Sequence, residues 1–193
     1  MSYQSFEKAG SSDSASKYKS MKLDTLHLSG KDVLDIGCNE GYFCHKMVEL
    51  GAKSCVGIDN SERYIKKANE RLKGTKYPIQ FIHADIHHHV FQQQFDIILI
   101  SSAMHYMNAA VIVSKVTRLL KKGGVFVYEG GIIMDSPIAE WVSIKRNVDT
   151  VIHPTQKAWE ALVIPLFSKV RLIGKSVLQR GDPIERYVYH CYL

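Results

Sequence analysis

Residues 31–41 read Lys-Asp-Val-Leu-Asp-Ile-Gly-Cys-Asn-Glu-Gly. The segment from Lys31 to Gly37 is a short, largely apolar run closed by glycine, the pattern of a strand buried inside a sheet. Beyond Gly41 the period changes. Phe43, Met47 and Leu50 fall at i, i+4 and i+7, which predicts a helix over 41–50. Strand, glycine turn and helix form one unit, and the chain downstream repeats it.

SCVGID (54–59) reads as a second strand. Ser61 caps a helix carrying Tyr64, Ile65, Ala68 and Leu72 on one face, stopped by Gly74. IQFIHAD (79–85) and FDIILIS (95–101) read as strands three and four, and Asn108 as the cap of a helix with Ile112, Val116, Leu119 and Leu120 inward. Gly123-Gly124 should end that helix, and VFVYE (125–129) is strand five. A short helix is expected near Ile138–Arg146, and Thr155 caps a last one bearing Trp159, Leu162 and Val163, broken by Pro165. KVRLIGKSVL and ERYVYHCYL close the chain, joined by only about six residues, Gln179–Ile184. This alternation specifies an α/β fold with a doubly wound, mostly parallel sheet, and the closing hairpin supplies an antiparallel strand at its end. Upstream, a Ser- and Lys-rich arm leads into a short helix near Ala15–Leu26.

The 193 residues are enough for one domain, and 46% hydrophobic with 23% charged residues is a globular balance. The charge difference, 25 − 19 = +6, permits an anionic partner without demanding one. Cys38, Cys44, Cys55 and Cys191 lack CxxC spacing and read as reduced thiols of a cytoplasmic protein. MSYQSFEKAGSSDS has neither the basic nor the apolar region of a secretion signal, and no run approaches the ~20 residues of a membrane span.

In a doubly wound sheet, ligands bind where the carboxyl ends of the strands meet a reversal of strand order. Asp35, Gly37 and Gly41 follow strand one; without GxGxxG or GK[ST], and with Asp35 and Glu40 beside it, this loop suits a cationic ligand better than a phosphate. Asp59 ends strand two, placed for ribose hydroxyls, and Asp85 follows strand three, where it could accept from an adenine amino group. A single acid could be a cap or a solvated turn; three at successive strand ends beside a glycine loop point to a ligand.

VLDIGCNEGYF, VGIDNS, IHADI, FDIILISSAMHYM and LLKKGGVFVYEG resemble, in order and spacing, the motifs of class I S-adenosylmethionine-dependent methyltransferases over roughly Lys31–Gly131. The resemblance implies a Rossmann-like, seven-stranded sheet with an antiparallel last strand, and S-adenosyl-L-methionine as methyl donor. It implies that Asp35, Gly37, Cys38 and Gly41 surround the methionine part, that Asp59 holds the ribose, that Asp85 and the Ile86 backbone read adenine, and that Ser101 covers the donor. Asn39-Glu40 departs from the small residues usual there, and Glu40 could face either the donor or solvent. Residues 1–30 would form an arm and helix over the donor site, residues 31–193 the methyltransferase domain, and about 130–155 a substrate cover.

SSAMHYM (101–107) resembles the segment after strand four in many small-molecule methyltransferases and lacks the Asp/Asn-Pro-Pro-Tyr/Phe tetrad of base-amine enzymes. His105 is the candidate general base, or else a pocket-lining histidine, and Tyr106 reads as a packing or positioning group. Glu129 is expected to point toward the same mouth, with Trp141, Lys145, Arg146 and His153 in the cover and Tyr3, Phe6, Lys17 and Tyr18 in the arm. His87-His88-His89 with His83 cannot all aim at one ion, so no metal is expected. The basic helix 63–73 reads as a solvated face, and Lys121-Lys122 as an answer to a helix dipole. HPTQKAWEAL and GDPIERYVYHCYL resemble enzymes acting on small metabolites or sugars and, more loosely, those modifying the tRNA wobble uridine. The favoured function is methyl transfer to oxygen or nitrogen of a small-molecule acceptor. RNA or tRNA methylation is the first alternative, and a non-catalytic donor-binding protein the second.

Overall fold

The computed structural model describes Phe6 and residues 14–146, 149–177 and 184–193. Tyr3 and most of the Gln179–Ile184 link lie outside the described residues, as does the Arg146 side chain. A seven-stranded sheet forms the frame: β1 (Asp32–Ile36), β2 (Ser54–Asp59), β3 (Ile79–His83), β4 (Phe95–Ser101), β5 (Leu120–Gly131), β8 (Lys169–Lys175) and β9 (Arg186–Tyr192), in the order β3-β2-β1-β4-β5-β9-β8. The first five are parallel, and β9 runs antiparallel to both β5 and β8. The last strand is therefore antiparallel as expected, but it lies inside the sheet and β8 takes the edge. The reason is legible in burial: β9 is buried almost throughout, whereas Lys169, Arg171 and Lys175 of β8 are exposed, as suits an edge that must resist further pairing.

Alternate residues of the central strands feed two cores. Leu34, Ile36, Ile98, Ile100, Phe126 and Tyr128 pack on α4 (Ala109–Leu119) and α5 (Gln156–Val163). Val33, Ile97, Leu99, Val125 and Val127 pack on the side of α2 (Tyr42–Glu49) and α3 (Glu62–Leu72). That face also carries Met21 and Leu23, which follow α1 (Ser14–Ser20). Both faces being covered explains why the strands read as apolar runs rather than alternating ones. Asn108 and Thr155 cap α4 and α5, accepting from Val111 N at 3.2 Å and Ala158 N at 3.2 Å. Ser61 opens α3 without a side-chain cap. Lys121 does not answer the α4 dipole; its ammonium bridges Asp32 at 2.7 Å and Asp96 at 2.8 Å, at the amino ends of β1 and β4.

The expected helix at Ile138–Arg146 is absent. β6 (Trp141–Arg146) and β7 (Asp149–Pro154) form a separate antiparallel hairpin, with Val142 opposite His153 and Ile144 opposite Val151. Val142 and Ile144 alternate with Trp141, Ser143 and Lys145, and this period of two wins because Val151 and His153 on the partner strand are buried. Among the described residues no helix is long and apolar enough to cross a membrane.

Candidate active site

The strand order reverses between β1 and β4, and a cavity of about 380 Å³ opens at the carboxyl ends beside that point. Its volume falls within the roughly 300–1,000 Å³ of small-molecule sites. Gly37, Asp59, Asp85, Ile86 and Ser101 line it, together with Asn39, Asn60, Tyr64, His87, Ser102, Tyr106 and Met107.

The loop after β1 is drawn tight. Gly37 has φ of 76°, and a Cβ there would stand 2.6 Å from Ala103 Cβ; Gly41 has φ of 82°, and a Cβ would enter the Phe81 ring. Only glycine meets both demands. The Gly37 N–H donates to Ile58 O at 2.8 Å, bringing the loop onto the end of β2. Asp59 completes the junction: Oδ2 accepts from Asn39 N and Oδ1 from Ser61 N, both at 2.9 Å. Each carboxylate oxygen keeps further acceptor capacity for a ligand hydroxyl.

Asp85, 49% exposed at its side chain, accepts from the His87 backbone N–H at 2.8 Å, and its Oδ1 lies 2.8 Å from His87 Nδ1. The backbone N–H first, then the ring, hold this carboxyl below its ordinary range.

Four of the expected residues stand outside the lining. Asp35 is fully buried behind the loop, where Oδ2 meets the Cys44 thiol at 3.7 Å. Cys38 is buried, Gly41 begins α2, and His105 is 7% exposed. The His105 ring lies 4.1 Å from Tyr106 and stacks at 5.3 Å on His153 from the hairpin. Tyr106, expected as a packing or positioning group, is 55% exposed and lines the cavity, which fits positioning rather than packing.

Glu40 does not face solvent. Its buried carboxylate accepts from Lys67 at 2.9 Å and Arg71 at 3.0 Å, so part of the basic face of α3 is spent on the glycine loop. Burial opposes its ionisation, but the two cations outweigh that and lower its pKa.

Glu129 does not reach the mouth as expected. It is fully buried, taking Arg186 Nε at 2.7 Å and the hydroxyls of Ser101 and Ser102, each at 2.9 Å. Lys17 from α1 donates to Ser102 Oγ at 2.7 Å, so the arm's helix reaches the edge of the cavity. Ser102, His87 and Asn39 were not singled out as site residues; each directly adjoins a strand-end residue that was, or the loop after it, which is the one signal the sequence held.

Among the described residues no group of three or more metal-ligating side chains forms. His83 Nε2 lies 3.2 Å from Asn60 O, His87 pairs with Asp85, and the His89 ring packs edge-on against Phe91.

A family model described as a methyltransferase domain matches residues 27–169. The chain is similar to the tRNA U34 carboxymethyltransferase of Helicobacter pylori, 33% identical over 132 residues, covering 65% of this chain and 49% of that protein. It is also similar to the ribosomal protein L11 methyltransferase of Thermosipho africanus, 28% identical over 137 residues, covering 71% and 49%. The chain thus spans about half the length of the curated relatives it matches. In fold it is similar to a putative S-adenosylmethionine-dependent methyltransferase from Listeria monocytogenes, with a TM-score of 0.72, 18% identity and coverage of 94% and 100%. It also resembles an amino pentose methyltransferase from Micromonospora echinaspora, with a TM-score of 0.67, 13% identity and coverage of 92% and 90%. With its glycine loop, strand-end acids and sheet order in place, this chain belongs to the family of S-adenosylmethionine-dependent methyltransferase domains.

Proposed function

We propose that the chain transfers the methyl group of S-adenosylmethionine to an oxygen or nitrogen of a small-molecule acceptor. The observation that carries this reading is the contact between the hairpin and the segment after β4, beside the cavity. The β6–β7 hairpin, within residues 130–155, lays His153 against His105, while Tyr106 projects into the donor cavity. A segment packed beside the cavity in this way suits a compact acceptor.

The donor, when bound, supplies a methyl group on a sulfonium, which needs no further activation. Asp59 would hold the ribose, Asp85 and the Ile86 backbone the adenine, and Gly37, Cys38 and Gly41 the methionine part through the loop backbone. Asp35 acts from beneath that loop, and Ser101, tied to Glu129, closes the side. These residues contribute orientation, worth several kcal/mol when reacting atoms are held in line. His105, behind Tyr106 at the edge of the cavity, would receive the proton of a hydroxyl acceptor that reaches it, and would position the acceptor when that is an amine. α1 (Ser14–Ser20), anchored by Lys17, folds over the donor side. Its four cysteines are free and buried, which supports a reading of the protein as cytoplasmic.

Incubation with labelled donor and the low-molecular-weight fraction of a cell extract should give a labelled small product. A second reading, RNA methylation, is favoured by the names of the tRNA-modifying relatives and by the +6 charge. Label confined to a nuclease-sensitive fraction, with binding that falls steeply with salt, would establish that reading instead.

A further inference from the structure

Asp85 and His87 stand in the same wall of the cavity. The His87 ring spans two elements: Nδ1 lies 2.8 Å from Asp85 Oδ1 after β3, and Nε2 takes the Asn108 backbone N–H at 3.3 Å, at the cap of α4. A backbone N–H can only donate, so Nε2 is the acceptor and the ring proton sits on Nδ1, directed at Asp85. Oδ1 thereby receives both His87 donors, whereas Oδ2 has no hydrogen bond among the described residues. The turn itself is secured separately, because the Lys115 ammonium from α4 donates to the carbonyls of Ile86 and His89.

We propose that His87 is the positioning residue for adenine recognition: by occupying Oδ1 and bracing the ring against Asn108, it leaves Oδ2 of Asp85 fixed to accept the exocyclic amino group of the nucleobase. The proposal rests on the reading of Asp85 given above. It makes the imidazole a determinant of base specificity that itself needs no contact with the base. His87 lies in the histidine run whose members cannot all aim at one ion, and its chemistry here is that of an oriented donor–acceptor bridge.

The test is calorimetric titration with two probes, S-adenosylhomocysteine and S-inosylhomocysteine, which carries a ring carbonyl in place of the amino group. Wild type should prefer the adenine compound. His87→Ala should weaken that compound about tenfold, the scale of one lost polar contact, and leave the inosine compound nearly unchanged. His87→Asn, which keeps a donor near the Nδ1 position, should restore most of the preference. Equal weakening of both probes, or no weakening of either, would overturn the proposal, and matched thermal melts confirm that the variants are folded. Asp85→Ala separates the two levels. If it leaves the preference intact, the reading of Asp85 fails and this inference with it. If it abolishes the preference while His87→Ala does not, the inference about His87 alone fails.

Discussion

Lys17, on the first helix, donates a 2.7 Å hydrogen bond to Ser102 Oγ at the end of β4, across 85 positions of chain. Ser102 in turn donates a hydrogen bond to Glu129, which Arg186 holds from β9. Four elements distant in sequence thus meet in one buried polar network at the wall of the donor cavity. Ser102 also has a φ of 58°, unusual for a residue with a side chain, and hydrogen bonds on both sides of its hydroxyl hold it there.

Removing one partner of a buried ion pair strands the other. Glu129→Ala should therefore destabilise the fold by about 3–5 kcal/mol. Lys17→Met, which loses a bond to a neutral hydroxyl, should cost about 1–3 kcal/mol. Urea unfolding at neutral pH checks both, and a loss under about 0.5 kcal/mol for Glu129→Ala, the scale of an ordinary surface change, would contradict the network's importance.

The same carboxylate makes stability depend on acidity. Burial alone would raise the pKa of Glu129, but Arg186 and then Lys17 reverse this and hold it well below the usual carboxylate range. A group more acidic in the folded state contributes fully above its unfolded pKa, about 4.3 for glutamate. That contribution is lost as pH falls toward the depressed folded value. Urea midpoints should drop as pH is lowered from about 5 to 3, and Glu129→Gln should flatten that slope. Parallel slopes would place the acid sensitivity elsewhere.

No metal is required on this account. Exhaustive chelation should leave donor affinity and turnover unchanged, since His83, His87 and His89 are each engaged with protein groups. Loss of turnover restored by one particular divalent ion would contradict it.

His105 lies under Tyr106 rather than in the cavity wall. With a hydroxyl acceptor, His105→Ala should lower turnover by about 10²–10⁴-fold while donor affinity holds. His105→Asn should not recover it, and the wild-type rate should rise with pH through a single ionisation. With an amine acceptor, His105→Asn should retain most of the rate. A normal rate for His105→Ala would remove the residue from both roles.

Much of this was legible in the chain itself. β2 and β4 fall where their apolar runs begin and end, because strands covered on both faces carry no polar alternation to blur them. The acids at strand ends were readable for the same reason, as polar residues that interrupt apolar runs at the sheet's edge. Lys17 is legible only as part of the arm; its bond to Ser102, like that of Arg186 to Glu129, is not, since partners 85 and 57 positions apart leave no local pattern. The hairpin is hidden in the sequence because Ile138 and Val142 also satisfy a helical spacing. What decides between the two periods is the partner strand, with Val151 and His153 buried on it. Likewise nothing local tells that Tyr106, and not His105, turns into the cavity; the short 3-10 turn over Met104–Tyr106 sets that.

The central claim is that the donor is held at the carboxyl ends of the strands with Asp59 on its ribose. Calorimetric titration of S-adenosylhomocysteine into wild type and Asp59→Ala addresses it directly. Asp59 already braces Asn39 and Ser61, so its loss would remove the loop's anchor together with the proposed ribose contact. Wild type should bind one equivalent per chain, and Asp59→Ala should bind more weakly by about 1–3 kcal/mol. Unchanged affinity in the variant would contradict the assignment of Asp59, and no binding by wild type would contradict the donor site as a whole.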